Sequence, residues 1–445
     1  YITPSPCQQR GGNRANSIKL IGVWPPHFQH SACLATNLAP VFIGIDWADK
    51  EHVVDIYDSA TGKRMKKEIK HKAENLIEWG AQLRKAYPEQ PIMVCLEQGR
   101  GPLITALSCM SWITCYPINP KSLARYREAR FPSRRKNDPI DAKLLCDYLR
   151  HHHEELRPHK PMDELSCKLF RMTEHRRKLV DERTAQVNRL RAELKMYFPQ
   201  VLEWFNAINT RTVWDLLLKW PSLKELKTAR KDTLLKFLYA HHVRNSSLLT
   251  TWPESVKNAV CLHEDQAIIE TSIMLVESIC HILLSLQNAI DRYEKEIKEL
   301  TQEHPDQHLF EAVPGAGVNL KPRILAAFGT DRERFERAEN VQELTGIAPV
   351  VESSGNSEWT HFRWAASSFL RQTFHEQALH SLGKSIWARR YYQEALARGK
   401  SHHVAVRALA FKWIRILFAC WKNNTPYDEN KYIAALQKAG SPYAN

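Results

Sequence analysis

Two short apolar runs, each closing on a carboxylate, constrain this chain more than anything else in it. VFIGID ends at Asp46 and IMVCLE at Glu97. Runs of that length, rich in branched residues and bounded by polar turns, read as strands buried in a sheet. Asp138 and Asp141, in NDPIDAKLL, stand three residues apart where a helix begins, so both face the same way. A carboxylate in an apolar strand beside Trp47 is costly unless something compensates it. Acidic groups gathered from strand ends and a helix start repel each other unless cations hold them. Hard oxygen ligands in that number suit Mg²⁺ or Mn²⁺, and two such ions can clamp a phosphodiester under in-line attack. The pattern predicts phosphoryl transfer on nucleic acid.

Taken alone, the second pair has a structural explanation. Asp138 can cap the helix, Pro139 suits its first turn, and Asp141 can reach back as an acidic capping-box partner. It is the company of Asp46 and Glu97 that favours a site. Asp49 and Asp147 are expected at the surface rather than among the ligands. His151, His152 and His153 are consecutive on a helix, so their imidazoles diverge and make a poor metal site.

The surrounding elements give the fold. From Val41 onward, VFIGIDWA and HVVDIYD form an antiparallel pair, and RMKKEIKH adds a third strand. A helix over roughly Ala73 to Ala86, the IMVCLE strand, a helix after Gly101–Pro102 and the strand ITCYPIN follow. This order matches an RNase H-like α/β layout, in which acidic residues collect at strand ends along one sheet edge. The segment from Lys121 to Lys136 then carries Lys121, Arg125, Arg127, Arg130, Arg134, Arg135 and Lys136 against a single Glu. A solvated helix face would also explain it, but the run leads into Asp138, and phosphate contact is the preferred reading. Lys plus Arg exceed Asp plus Glu by 63 to 49, a formal charge of +14, which favours a polyanionic partner.

Further along, the pattern becomes helical. Val276, Ile279, Leu283, Leu286, Ile290, Tyr293, Ile297 and Leu300 alternate in steps of three and four, a coiled-coil signature. Either an antiparallel hairpin or a dimer zipper satisfies it. VPGAGVNLKPRILAAFG resembles a helix-hairpin-helix element presenting backbone N–H groups to phosphate, although a Gly turn joining two core helices is the plainer alternative. VAVRALAFKWIRILFACW carries Arg407, Lys412 and Arg415 and reads as a core helix, and no apolar run predicts a membrane span. Ten cysteines without a CxxC pair are expected to be reduced thiols of a cytoplasmic protein. The expected divisions are an N-terminal extension without regular structure over 1–40, a catalytic domain over 41–155, a helical coiled-coil region over 156–305, a mostly α domain over 306–436, and a tail over 437–445.

The order GIDWA, LEQGRGPL, NDPIDAKLL, coiled coil, VPGAG and LTGIAPVVESSG resembles the DEDD transposases of the insertion-sequence one-hundred-and-ten family, from about Val41 to Leu436. That resemblance implies a RuvC-like catalytic domain and a second, smaller transposase domain. It implies a tetrad of Asp46, Glu97, Asp138 and Asp141 holding Mg²⁺. It also implies a serine nucleophile that forms a covalent 5′-phosphoserine link, mapping to Ser354, with Ser353 as the alternative. A structured bridge RNA that pairs with target and donor DNA is implied as a partner. So is assembly into dimers and tetramers, in which one subunit's tetrad serves another's serine. After Gly355 this chain has Asn356, Ser357, Glu358 and Trp359 where many relatives carry basic residues; the nearest cation expected to meet DNA is Arg363. A RuvC-like nuclease or junction resolvase using water would share the tetrad. A non-catalytic nucleic-acid-binding protein would not need it intact.

Overall fold

The computed structural model describes residues 38–97, 99–130, 138–355, 357–364 and 366–443. The chain divides into two compact units, Tyr1–Pro161 and Met162–Asn445. The first unit is built on a five-stranded mixed sheet. Its strands are β1 (Val41–Asp46), β2 (Glu51–Asp58), β3 (Arg64–Lys70), β4 (Ile92–Leu96) and β5 (Ile113–Pro117), in the order β3-β2-β1-β4-β5. The three sequence-adjacent strands pair antiparallel, while β1–β4 and β4–β5 pair parallel. This is the arrangement expected from the strand pattern, and it is compatible with an RNase H-like domain.

Helices α1 (Ala73–Ala86) and α2 (Pro102–Ser108) are joined by α3 (Pro120–Arg130) and α4 (Asp138–His152). Side chains alternate along a strand, so each strand serves two cores. Val41, Ile43 and Ile45 of β1 pack with Leu76, Trp79, Leu83, Leu103 and Leu107 of α1 and α2. Phe42, with Met93 and Cys95 of β4, packs on the opposite face with Leu123, Leu144, Leu145 and Leu149 of α3 and α4. Both faces of the central strands are therefore dry, which explains why β1 and β4 read as continuous apolar runs.

The second unit opens with α5 (Glu164–Tyr197) and returns along α11 (Gln266–Glu303). Between them lie α6 (Gln200–Trp204), α7 (Arg211–Lys219), α8 (Leu223–Lys227), α9 (Lys231–Ala240) and α10 (Ser246–Asn258). Contacts between the long helices run in opposite chain directions. Ser166 meets His304, Arg176 meets Glu294, Arg183 meets Gln287, and Glu193 meets Ser272. The two helices are thus an antiparallel pair within one chain. Of the predicted stripe on α11, Val276, Ile279, Leu283, Ile290, Ile297 and Leu300 are buried, each contributing about 1.5–3 kcal/mol of apolar burial. By length and composition α11 could cross a membrane, with a mean hydropathy of 1.8 over its most apolar window, but its apolar stripe packs against α5.

Beyond α11 come α12 (Gly317–Phe328), α13 (Ala338–Leu344), the hairpin β6 (Val350–Ser354) and β7 (Ser357–His361), then α14 (Ser368–Ser381), α15 (Ile386–Ala397), α16 (His402–Lys422) and α17 (Glu429–Lys438). The core helix expected around Arg407 is α16, with Trp413, Leu417 and Trp421 fully buried. Each indole N–H in this core has an acceptor: Trp421 donates to Gly329 O at 2.7 Å, Trp413 to Ser381 Oγ at 2.9 Å, and Trp387 to the Tyr427 hydroxyl at 3.1 Å. Gly315, in the VPGAG turn, is buried, and a Cβ there would lie 2.5 Å from Gln377 O. Close packing on α14 accounts for that glycine. Tyr443, in the segment read as a tail, packs its ring at a tilt against Tyr391, with centroids 5.1 Å apart. The eight cysteines among the described residues are all free thiols, and burial pushes those of Cys115 and Cys146 up to about 12.

Candidate active site

In the first unit, strand register brings two of the predicted acids together. Ile45 of β1 pairs with Leu96 of β4 in parallel, so Asp46 and Glu97 occupy the next aligned positions, about 4.8 Å apart across the sheet. Both continue the face that carries Phe42, Met93 and Cys95, the side on which α4 packs. The helix lies hard against β1. The Cys146 thiol donates to Phe42 O at 3.3 Å, and a Cβ on Gly44 would fall 2.1 Å from Ala142 O. Two strand residues span about 6.8 Å and four helical residues about 6 Å, so α4 runs antiparallel to β1 in step with it. Gly44 thus lies level with the helix between Ala142 and Cys146, and two strand residues further Asp46 is level with about position 140, between Asp138 and Asp141. Asp141, adjacent to Ala142, shares that end. The side chain of Asp138 lies outside the described residues.

Asp141 is only 5 % exposed and has a cation already on it. Arg127 of α3 donates to its Oδ1 from Nε at 3.0 Å and lies 2.8 Å away through Nη2. Arg127, expected to contact phosphate, is therefore turned inward in this structure. Lys121, Arg125 and Arg130 of the same run are exposed, while Arg134, Arg135 and Lys136 lie outside the described residues. The donor set suits a hard divalent cation, being carboxylate throughout with no thiol or imidazole. Among the described residues no three His, Cys, Asp or Glu side chains stand grouped to hold an ion. That grouping excludes Asp138 and meets Asp141 already engaged by arginine. The fit lies in donor chemistry and placement.

Asp147 corrects the sequence reading. It is 3 % exposed rather than at the surface, and its Oδ1 lies 2.6 Å from Arg64 Nη2. Arg64, on β3, also grips the fully buried Asp55 of β2 at 2.6 Å. This triad fastens α4 across β2 and β3 and so fixes the helix that presents Asp138 and Asp141. Removing a shared partner from buried charges is costly. Arg64→Ala is expected to destabilise the unit by about 3–5 kcal/mol, read from its urea unfolding midpoint. Asp49 is exposed, as expected. The histidine run serves packing: His153 lies on Phe42 at 5.2 Å and His152 on Tyr148 at 4.9 Å.

A histidine pair supports the loop after Asp46. His52 Nδ1 accepts from Ala48 N–H at 3.3 Å, and its Nε2 lies 2.9 Å from His71 Nδ1. Burial, with the neighbouring His71 ring, lowers His52 from 6.5 to about 4. The unfolded chain therefore takes up this proton first. Stability is fully present above about pH 6.5 and is lost as pH falls toward 4. Between pH 7 and about pH 4.5 the expected contribution is roughly 2.5 kcal/mol. Urea titrations at both pH values should show His52→Gln losing less stability than the parent chain by that amount.

In the second unit, Ser354 ends β6 at the tip of a hairpin whose residues from Val351 to His361 are exposed wherever their burial is described. The turn is tight because Gly355 adopts φ +60°, a left-handed conformation favoured by glycine. Pairing of Ser354 with Ser357 and of Glu352 with Trp359 puts Ser354, Trp359 and Glu352 on one face, and Ser353 with Glu358 on the other. The nearest histidine on the Ser354 face is His361, which sits opposite Val350 and lies 3.4 Å from Glu352. Four residues of strand, about 13 Å, separate His361 from the Ser354 level, so it is no base for that hydroxyl. The hairpin is stapled at its root. Arg371 Nη2 donates to Arg363 O at 2.8 Å, Arg363 Nε donates to Ala348 O at 3.4 Å, and the Phe362 ring is met by the guanidinium groups of Arg371 at 4.0 Å and Arg407 at 4.9 Å. Arg371, Phe362 and Arg407 escape a sequence reading because nothing in their spacing marks them as partners.

The DEDD IS110 transposase profile matches residues 43–199, and that of the IS116/IS110/IS902 transposase family matches residues 307–393. The chain belongs to the IS110 family of DEDD transposases. It is 26 % identical to the mini-circle putative transposase for IS117 of Streptomyces coelicolor, across 90 % of this chain and 98 % of that protein. The uncharacterized 42 kDa protein of insertion element IS900 from Mycobacterium paratuberculosis is 23 % identical over 89 % of this chain and 99 % of its own length. The uncharacterized 43.6 kDa protein of IS110 from S. coelicolor is 26 % identical over 69 % and 76 % respectively. As an IS110-family transposase the chain binds DNA and cuts and rejoins it, and domains of this DEDD class use divalent metal ions.

Proposed function

We propose that this transposase divides its chemistry between the two units: Asp46, Glu97, Asp138 and Asp141 hold Mg²⁺ or Mn²⁺, and Ser354 is the nucleophile. The observation that carries the reading is the register that aligns Asp46 with Glu97 on the α4 face, level with the start of that helix. Bound there, the ion would neutralise the phosphate and favour ionisation of an attacking hydroxyl, which a site without a histidine base requires. The Ser354 Oγ attacks phosphorus as its proton passes to solvent, the bond to the 3′ oxygen breaks, and that oxygen takes a proton from solvent and departs as a 3′-hydroxyl. The strand then ends in a 5′-phosphoserine. Attack by another strand's 3′-hydroxyl releases the serine and rejoins the DNA without an external energy source. Exposure of Ser354 at a hairpin tip suits a nucleophile that must reach a duplex backbone.

A structured bridge RNA supplies sequence recognition in this reading, and the protein reads backbone charge. The formal charge of +14 and the exposed Lys121, Arg125 and Arg130 support it. Purified protein with its co-purifying RNA, labelled junction DNA and Mg²⁺ should give a DNA–protein adduct on a denaturing gel. The adduct should be absent with Ser354→Ala and with Asp46→Ala. Free cleaved DNA persisting in Ser354→Ala would assign the nucleophile to water.

A further inference from the structure

We propose that Arg127 is a built-in occupant of the cation seat at Asp141, holding that carboxylate in place until a divalent ion displaces it. The inference rests on the metal reading above and adds to it an exchange within the chain. Asp141 is buried, and a buried carboxylate without a counter-charge is costly. Arg127 meets that need, but it places Nε and Nη2 on the same oxygen, Oδ1, rather than spanning both carboxylate oxygens. That geometry is weaker than a two-oxygen fork.

Comparison with Arg64 sharpens the assignment. Arg64 bridges two buried carboxylates, Asp55 and Asp147, and its departure would remove the close cation from both, leaving Asp147 only the more distant Arg130 at 4.0 Å. Arg127 serves the carboxylate at the level of Asp46 and retains 15 % side-chain exposure, so solvent reaches it. One arginine is a lock and the other a latch. An ion bound at Asp141 Oδ1 must take the position that the Arg127 guanidinium holds, since both neutralise the same oxygen. The chain can thereby fold without metal and without a bare buried charge at Asp141. By linkage, whatever strengthens the Arg127–Asp141 pair weakens the ion to the same degree.

The test measures Mn²⁺ binding by electron paramagnetic resonance on the full chain, free of nucleic acid. Arg127→Ala is expected to bind Mn²⁺ about tenfold more tightly than the parent, and Arg127→Lys, which keeps a competing charge, within about threefold of it. Thermal unfolding gives a second readout. Without metal, Arg127→Ala should melt below the parent, and saturating Mn²⁺ should close the gap. A merely structural arginine would leave a deficit that Mn²⁺ does not recover, and that result, or unchanged or weaker Mn²⁺ binding in Arg127→Ala, would overturn the proposal. Asp46→Ala separates the two levels. If it abolishes Mn²⁺ binding while Arg127→Ala does nothing, the metal reading stands and the exchange is wrong. If Asp46→Ala binds Mn²⁺ like the parent, the metal reading fails and takes this inference with it.

Discussion

Gly44→Ala is expected to destabilise the first unit by about 3 kcal/mol or more and to cut strand transfer at least ~100-fold. The added Cβ would lie 2.1 Å from Ala142 O and 2.3 Å from Cys146 N, both main-chain atoms that cannot rotate away. Only a shift of α4 off β1 relieves the overlap. That shift carries Asp138 and Asp141 away from Asp46 and Glu97, so stability and chemistry fail together. Gly99→Ala is the stability control, since among the described residues its Cβ would meet nothing closer than Pro117 Cβ at 3.8 Å. Urea unfolding should move for the first variant and stay within about 0.5 kcal/mol for the second.

Asp46→Asn and Ser354→Ala should each lower DNA strand transfer by about 10³ or more, and neither should unfold the chain. The reasons differ. Asparagine at 46 keeps the size and shape of the side chain at the end of β1, so the fold is expected to stay within about 0.5 kcal/mol of the parent. Its loss is in holding the ion. Alanine at 354 touches an exposed hairpin tip, where truncation costs within about 0.5 kcal/mol, and it removes the attacking oxygen while leaving Mn²⁺ binding unchanged. A strand-transfer assay paired with thermal unfolding and Mn²⁺ titration should therefore show comparable losses of activity, with Mn²⁺ binding weakened only in Asp46→Asn.

Much of this was readable in the sequence because it is written in local periods. Continuous apolar runs predicted two-faced central strands, and β1 and β4 are buried on both faces. The heptad steps from Val276 to Leu300 predicted a long packed helix; they could not name its partner, which the pairing of Arg176 with Glu294 identifies as α5 of the same chain. What stayed hidden depends on distance along the chain. Asp147 looks like any acid on an amphipathic helix, and its partner Arg64 lies eighty-three residues away. Arg127 reads as one more cation in a basic run until folding turns it onto Asp141, fourteen residues on. Ser353 and Ser354 are indistinguishable by composition. Strand alternation separates their faces and gives Ser354 the neighbours Trp359 and Glu352. The alignment of Asp46 with Glu97 lies between these cases, since the strands were legible but their register was not.

The most direct measurement is mass spectrometry of the reacted protein. The full chain with its RNA is incubated with junction DNA and Mg²⁺, the DNA is digested with nuclease, and the tryptic peptide from Ala338 to Arg363 is sequenced. A nucleotide mass on Ser354, absent from the same peptide of Asp46→Ala, is the result predicted. Cleaved DNA bearing free 5′-phosphates beside an unmodified peptide, or a nucleotide on Ser353, would contradict it.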